Sequence, residues 1–242
     1  MSMYEVYNEE FARREFFLTR EDRLLQVLDG SLNTIFDVGS NIGEWTRMAR
    51  EFHPNANIHS FEVVAATHKK QVNNIQQNDK TFLNGFGLSD FCGILPMQHN
   101  TEFDAMSSCL EELHVDTSVW VNGLVFTGDQ YVSSRQIDYI DFLKIDVEGA
   151  ECNVLKGFEE TLNASKIGII QFEYGFANVL SRFLLVDAYK FLTPKGYHIG
   201  KMIEGVWKVG DYKLIDEDFK APNIVAVHDS KMAEVYNKIM SI

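Results

Sequence analysis

The sequence predicts an α/β protein built on a mostly parallel sheet with helices on both faces. Three observations point there. β-rich segments alternate with helical patterns along most of the chain, the signature of parallel strands joined by helical crossovers. Tyr139–Ile145 is a nearly continuous apolar run, as a central strand covered on both faces requires. A glycine-rich turn, Gly39 to Gly43, separates a β-rich run from an amphipathic helical pattern, the kind of turn such folds use to receive nucleotides.

The elements follow in order. Residues 8–28 are expected to be helical, because Phe11, Phe17, Leu24, Leu25 and Leu28 recur among charges and Gly30 stops the run. A strand is expected at 34–38 and a helix at about 42–52, with Trp45, Met48, Ala49 and Phe52 at helical spacing and Pro54 closing it. Residues 57–62 read as a second strand ending in a carboxylate, 64–77 as a helix and 81–88 as a third strand. Residues 90–134 read as an insertion or hairpin, with Cys92–Met97 and Gly123–Phe126 as antiparallel strands. After the central strand come a helix at 151–162, a buried strand at 167–172 and a helix at 178–192 ended by Thr193-Pro194-Lys195-Gly196. Strands at 197–203 and 223–227 lie close together without a helix between them, which suits an antiparallel pair, and the tail at 230–240 is helical. Residues 1–30 are therefore read as an N-terminal helical extension and 31–242 as one domain.

Bulk properties narrow the function. A chain of 242 residues can bury a substantial core. A net charge of −13 argues against gripping nucleic-acid phosphates and against docking on an anionic membrane. Cys92, Cys109 and Cys152 are odd in number and widely spaced, which suits neither a disulfide framework nor a zinc site. The acidic N-terminus has no apolar signal core and no apolar run reaches membrane-spanning length, so the expected location is the cytoplasm.

The chemistry concentrates at strand ends. Asp37 closes the first strand just before the glycine turn, where a pyrophosphate would be repelled and an ammonium or sulfonium welcomed. The spacing Gly39-x-x-x-Gly43 also departs from the Gly-x-Gly-x-x-Gly of dinucleotide sites. Glu62 ends the second strand on the order of twenty residues later, where an acid typically accepts hydrogen bonds from a ribose. Leu88-Ser89-Asp90 follows the third strand, and Ser89 or Asp90 is placed to reach a base edge. An ordinary turn is an equally good reading of those three residues.

In the central strand, Lys144 and Asp146 share a face, with Glu148 near them if extension persists. A lysine in an apolar strand needs a partner, and Asp146 is the nearest. Glu173 closes the neighbouring strand beside Asp146 and Glu148. Such carboxylates can raise one another's pKa so that one serves as a base, or they can hold a divalent cation through oxygen. Both stay open. The histidines are scattered without metal-ligand spacing. His228 is singled out because it ends the last strand, near the expected site.

Asp37-Val-Gly-Ser-Asn-Ile-Gly43, Ser60-Phe-Glu62, Leu88-Ser-Asp90, the Ile140–Glu151 block, Val154-Leu-Lys-Gly157 and Gln171-Phe-Glu173 together resemble the FkbM family of S-adenosylmethionine-dependent methyltransferases. The resemblance covers about residues 34 to 228, and its most specific part is Lys144–Glu151. It implies a Rossmann-like class I methyltransferase fold with a seven-stranded sheet. It implies that Asp37, Gly39, Ser40, Asn41 and Gly43 hold the amino-acid end of S-adenosyl-L-methionine. Glu62, followed by Val63, would take the ribose; Leu88 and Ser89 would flank the adenine; Asp146 would line the cofactor or acceptor site. The implied reaction is O-methylation of a small molecule or carbohydrate, with Asp146, Glu148 or Glu173 taking the hydroxyl proton. Val63 stands where the family often has proline, and within 98–134 only Asp129 has a family counterpart, an aspartate before the fourth strand. No Pro-Pro-aromatic element follows Asp146, which disfavours a nucleic-acid amino group as acceptor. Two other readings are a nicotinamide-dependent oxidoreductase, which the glycine spacing disfavours, and a non-catalytic cofactor-binding scaffold.

Overall fold

The computed structural model describes residues 22–76, 78–101, 107–113, 117–203, 205–219 and 223–240. The expected helix at 8–28 falls largely outside them, and its described part is a helix over Asp22–Val27. The strands are β1 Thr34–Val38, β2 Asn57–Phe61, β3 Thr81–Asn84, β4 Gly87–Ser89, β5 Gly93–Asn100, β6 Ser118–Thr127, β7 Ile140–Ile145, β8 Ile167–Glu173, β9 Tyr197–Ile203, β10 Val206–Val209 and β11 Asn223–His228.

Eight of them form the main sheet in the order β10-β9-β11-β8-β7-β1-β2-β3. β3, β2, β1, β7 and β8 run parallel, and β11 lies antiparallel to both β8 and β9. The sheet is mostly parallel, as expected, with β11 reversed within it. The sheet has one strand more than the seven expected, because β10 folds back on β9 as a hairpin. Trp207 on β10 is buried and donates its indole N–H to the Val225 carbonyl at 3.1 Å, which ties the added strand to the core.

Alternation along the strands sorts apolar side chains to two faces. Ile35, Phe142 and Ile169 join one cluster, with Leu24, Leu25, Leu28, Trp45 and Ala49 from the helices Asp22–Val27 and Glu44–Phe52 and the turn after the first. Their neighbours Phe36, Leu143 and Ile170 join the other, with Tyr131, Val154, Phe158 and Leu185. Every residue of β7 is buried, which explains its nearly continuous apolar run.

Several boundaries differ from expectation for identifiable reasons. The third strand is two pieces: β3 ends at Asn84, and Gly87–Ser89 pairs instead with Val125–Thr127 in a separate three-stranded sheet, β4-β6-β5. The hairpin of that sheet is longer than its sequence suggested, running Gly93↔Val125 to Asn100↔Ser118. The helix expected at 151–162 breaks into Glu151–Gly157 and Glu159–Asn163. Gly157 presses on the Ser89 carbonyl, where a Cβ would lie 2.1 Å away, and Asp129 starts the second helix by accepting the N–H of Glu160 and Thr161 at 2.9 Å each. The helix expected at 178–192 is Phe176–Ser181 and Leu185–Leu192, separated by Arg182 at φ +59°. Glu217 caps the second piece through the N–H of Leu185 and Val186.

Candidate functional site

The carboxyl ends of β1, β2, β7 and β8 meet at one edge, and just inside it lies a row of buried polar residues. Ser60, Asp37, Lys144 and Gln171 are register partners across four adjacent strands, and all are at most 4% exposed. Lys144 Nζ is 3.5 Å from Asp37 Oδ1 and 3.0 Å from Asp146 Oδ2. The Thr46 hydroxyl donates to Asp37 Oδ2 at 2.6 Å. The expected Lys144–Asp146 pair is present, and Asp37 completes it from the next strand. The Asp37 carboxylate is fully buried beneath the turn and directed toward Lys144 and Thr46. Burial pushes the Asp37 pKa up, against the opposing pull of Lys144 and Thr46.

The glycine turn rests on this row. Gly39 has φ +80°, and a Cβ there would lie 1.7 Å from the Asp146 carbonyl oxygen, so the turn and the segment after β7 touch backbone to backbone. Gly43 has φ +89°, and a Cβ there would meet the Ile75 side chain at 2.4 Å. Glu62 is 7% exposed and holds the turn from the side: Oε2 accepts the N–H of Asn41 at 2.9 Å and Oε1 that of Val64 at 2.8 Å. Ser40 Oγ is buried and accepts from Gln71 Nε2 at 2.6 Å. Asn41 stands at φ +47° with a buried Oδ1 that has no hydrogen-bond partner. A buried acceptor without a donor is costly. Together with the open backbone of a Gly-x-x-x-Gly turn and an adjacent carboxylate, it fits a ligand bearing ammonium and hydroxyl donors.

Asp146, Glu148 and Glu173 come together as expected, with one carboxylate oxygen of each within 4.8 Å of the others. They do so by a turn, not by continued extension: the strand ends at Ile145, and Glu148 at φ +51° and Gly149 at φ +102° fold the chain back. Three carboxylates so placed can act as a base or hold a divalent cation through oxygen. The inserted loop closes over the turn, where the Ser108 hydroxyl donates to the Glu148 carbonyl at 2.7 Å and Leu110 packs on Gly149.

Other expected residues sit elsewhere. Leu88 and Ser89 do not directly follow the third strand of the main sheet; they are buried in β4, with Ser89 donating to Asp90 at 3.2 Å. Gly85, Phe86 and Gly87 separate them from β3. Val63 packs on the small sheet, since a Cβ on Gly123 would lie 2.2 Å from its methyl. His228 lies at the far edge, beside Tyr197, because β11 is antiparallel. It is Asn223, at the start of β11, that stands opposite Glu173.

Gln171, Asn223, Asn178 and Glu151 had not been singled out as site residues. Gln171 donates to Asn223 at 3.2 Å, Asn178 donates to Glu151, and Glu151 is 1% exposed. A polar residue near the end of each apolar strand was the available signal for Ser60 and Gln171.

Residues 37–199 match the family model of the Methyltransferase FkbM domain. Hexuronic acid methyltransferase AglP of Haloferax volcanii is 27% identical over 145 residues, 59% of this chain and 57% of that protein. Methyltransferase sdnD of Sordaria araneosa is 27% identical over 158 residues, 52% of this chain and 60% of that protein. The chain thus spans less than two thirds of the length of either. Among solved structures, precorrin-6y C5,15-methyltransferase of Geobacter metallireducens is 12% identical with a TM-score of 0.44, covering 85% of this chain and 86% of that one. Aeropyrum pernix fibrillarin with natively bound S-adenosyl-L-methionine is 14% identical with a TM-score of 0.44, covering 84% and 68%.

Proposed function

The chain belongs to the FkbM methyltransferase family, and from that premise we propose that it transfers a methyl group to a hydroxyl of a small molecule or sugar. The cofactor of the family is S-adenosylmethionine. The observation that carries the oxygen-directed reading is the convergence of Asp146, Glu148 and Glu173 within 4.8 Å beside the glycine turn. A hydroxyl must lose its proton as it is methylated, and a carboxylate within reach can take it.

When bound, S-adenosylmethionine supplies a methyl group already activated by its sulfonium. Most of the protein's contribution is then positioning. The turn 39–43 and Asn41 would receive the amino-acid end, and Glu62, fixed by two backbone N–H groups, would take the ribose hydroxyls. Lys144 holds Asp146 at the strand end. Glu148 and Glu173 flank the acceptor side, where one accepts the hydroxyl proton. Leu88 and Ser89, which would flank the adenine, are both buried in the small sheet.

The resemblance to a hexuronic acid methyltransferase supports a sugar acceptor. Among the described residues no helix is long and apolar enough to cross a membrane. Cys92, Cys109 and Cys152 form no disulfide, in keeping with a reducing compartment such as the cytoplasm.

The test is transfer of radiolabelled methyl from S-adenosylmethionine to a panel of neutral sugars, hexuronic acids, small alcohols and RNA. The reading expects label in a hydroxyl-bearing small molecule, in a product stable to alkali as an ether is. Label confined to RNA, or released by alkali as from a carboxyl ester, counts against it.

A further inference from the structure

Glu151 begins the helix Glu151–Gly157 and is 1% exposed, yet it makes no contact with the acidic cluster through its side-chain hydrogen bonds. Its Oε1 accepts the N–H of Gly149 at 3.1 Å and of Val147 at 3.3 Å. Its Oε2 accepts from Asn178 Nδ2 at 3.0 Å, and Asn178 Oδ1 in turn accepts the Gly175 N–H at 2.7 Å, which starts the helix Phe176–Ser181. The turn it grips is the one with left-handed Glu148 and Gly149, and its Asp146 carbonyl is the surface on which Gly39 rests.

We propose that Glu151 is a positioning residue whose carboxylate fastens the Asp146–Gly149 turn to the helix Phe176–Ser181, and thereby holds the floor of the glycine loop in its binding shape. The inference rests on the reading that the loop 39–43 receives the cofactor.

The ionised form is the one that fits. Around its two oxygens stand three donors, and a carboxylate only accepts. Protonation turns one oxygen into a donor. If that oxygen faces Asn178, the amide must turn over, and its oxygen leaves the Gly175 N–H. Burial pushes the Glu151 pKa up to about 7; Asp146 adds to the rise, and the N–H groups of Gly149 and Val147 oppose it. The charged and titratable groups facing it are Asp146 on its own segment and Cys109 on the inserted loop, whose thiol Glu151 in turn pushes up. The helix Phe176–Ser181 carries no titratable side chain.

The experiment is calorimetric titration of the full chain with S-adenosylhomocysteine across about pH 5.5 to 8.5, for wild type, Glu151→Gln and Asn178→Ala. Wild-type affinity is expected to fall about tenfold on the acid side, with a midpoint near 7. Glu151→Gln mimics the protonated form, so it should bind like acidic wild type with a flat profile. If that variant fails to fold, Asn178→Ala decides, with weaker binding and a smaller pH response. Wild-type affinity and an unchanged pH profile in the folded variants overturn the proposal. A folded wild type that binds no S-adenosylhomocysteine at any pH removes the cofactor-loop reading itself, a separate and distinguishable failure.

Discussion

Asp37 on β1 and Lys144 on β7 are register partners, and their side chains meet as a buried ion pair at 3.5 Å. The pair joins the strand that feeds the glycine turn to the strand that feeds the acidic cluster. Desolvation makes such a pair expensive to build, and removing one partner is worse, because it strands the other charge in the core.

Lys144→Met should therefore destabilise the protein by about 3–5 kcal/mol, since Asp37 and Asp146 both lose their counter-ion. Adding Asp37→Asn to the same variant should restore a large part of the loss. Urea unfolding of the single and double variants checks both numbers. Equal stability of the two variants would show that the charges do not act through each other.

Gly39→Ala should cost at least about 2 kcal/mol, because φ +80° disfavours any side chain and its Cβ would overlap the Asp146 carbonyl at 1.7 Å. The clash is with backbone, so no rotamer relieves it. A thermal melt is the measurement, and a melting temperature within error of wild type refutes the packing described for the turn.

The pH dependence of stability carries the mark of Glu151. Its pKa rises from 4.5 in the unfolded chain to about 7 in the fold, so the native state binds the extra proton between those values. The stability this contributes is fully present below 4.5 and is lost as pH rises through about 7, a change of about 3 kcal/mol. Glu151→Gln has no such titration. Its melting temperature relative to wild type should climb from about pH 5 to pH 8. A constant difference across that range contradicts the burial of the charge.

The fold was legible because its signals are local and strong. β7 is buried on both faces and reads as an apolar run; Pro54 and Gly196 mark ends of elements; and β9 with β11 showed their antiparallel pairing through the absence of a helix between them. What stayed hidden depends on partners distant in sequence. β4 leaves the main sheet because Val125–Thr127 offers it another ladder. The helix after residue 151 breaks where Asp129, far upstream, caps a new start. In the site, the carboxylates at strand ends were visible, and so was the need of Lys144 for a partner. The inward turn of Asp37 was not, since it requires knowing that β1 and β7 are neighbours. Asn223 escaped notice for the same reason: only a reversed strand brings its first residue to the edge where the others end.

The placement of the cofactor by Glu62 and the glycine turn is tested most directly by calorimetric titration of S-adenosylhomocysteine into the full chain and into Glu62→Ala, with NAD as a parallel ligand. Glu62→Ala frees the N–H groups of Asn41 and Val64 and removes the ribose acceptor. One-to-one binding to wild type, a loss of about tenfold or more in the variant and no heat from NAD is the expected result. Undiminished binding by a folded Glu62→Ala, or NAD binding in place of S-adenosylhomocysteine, would contradict it.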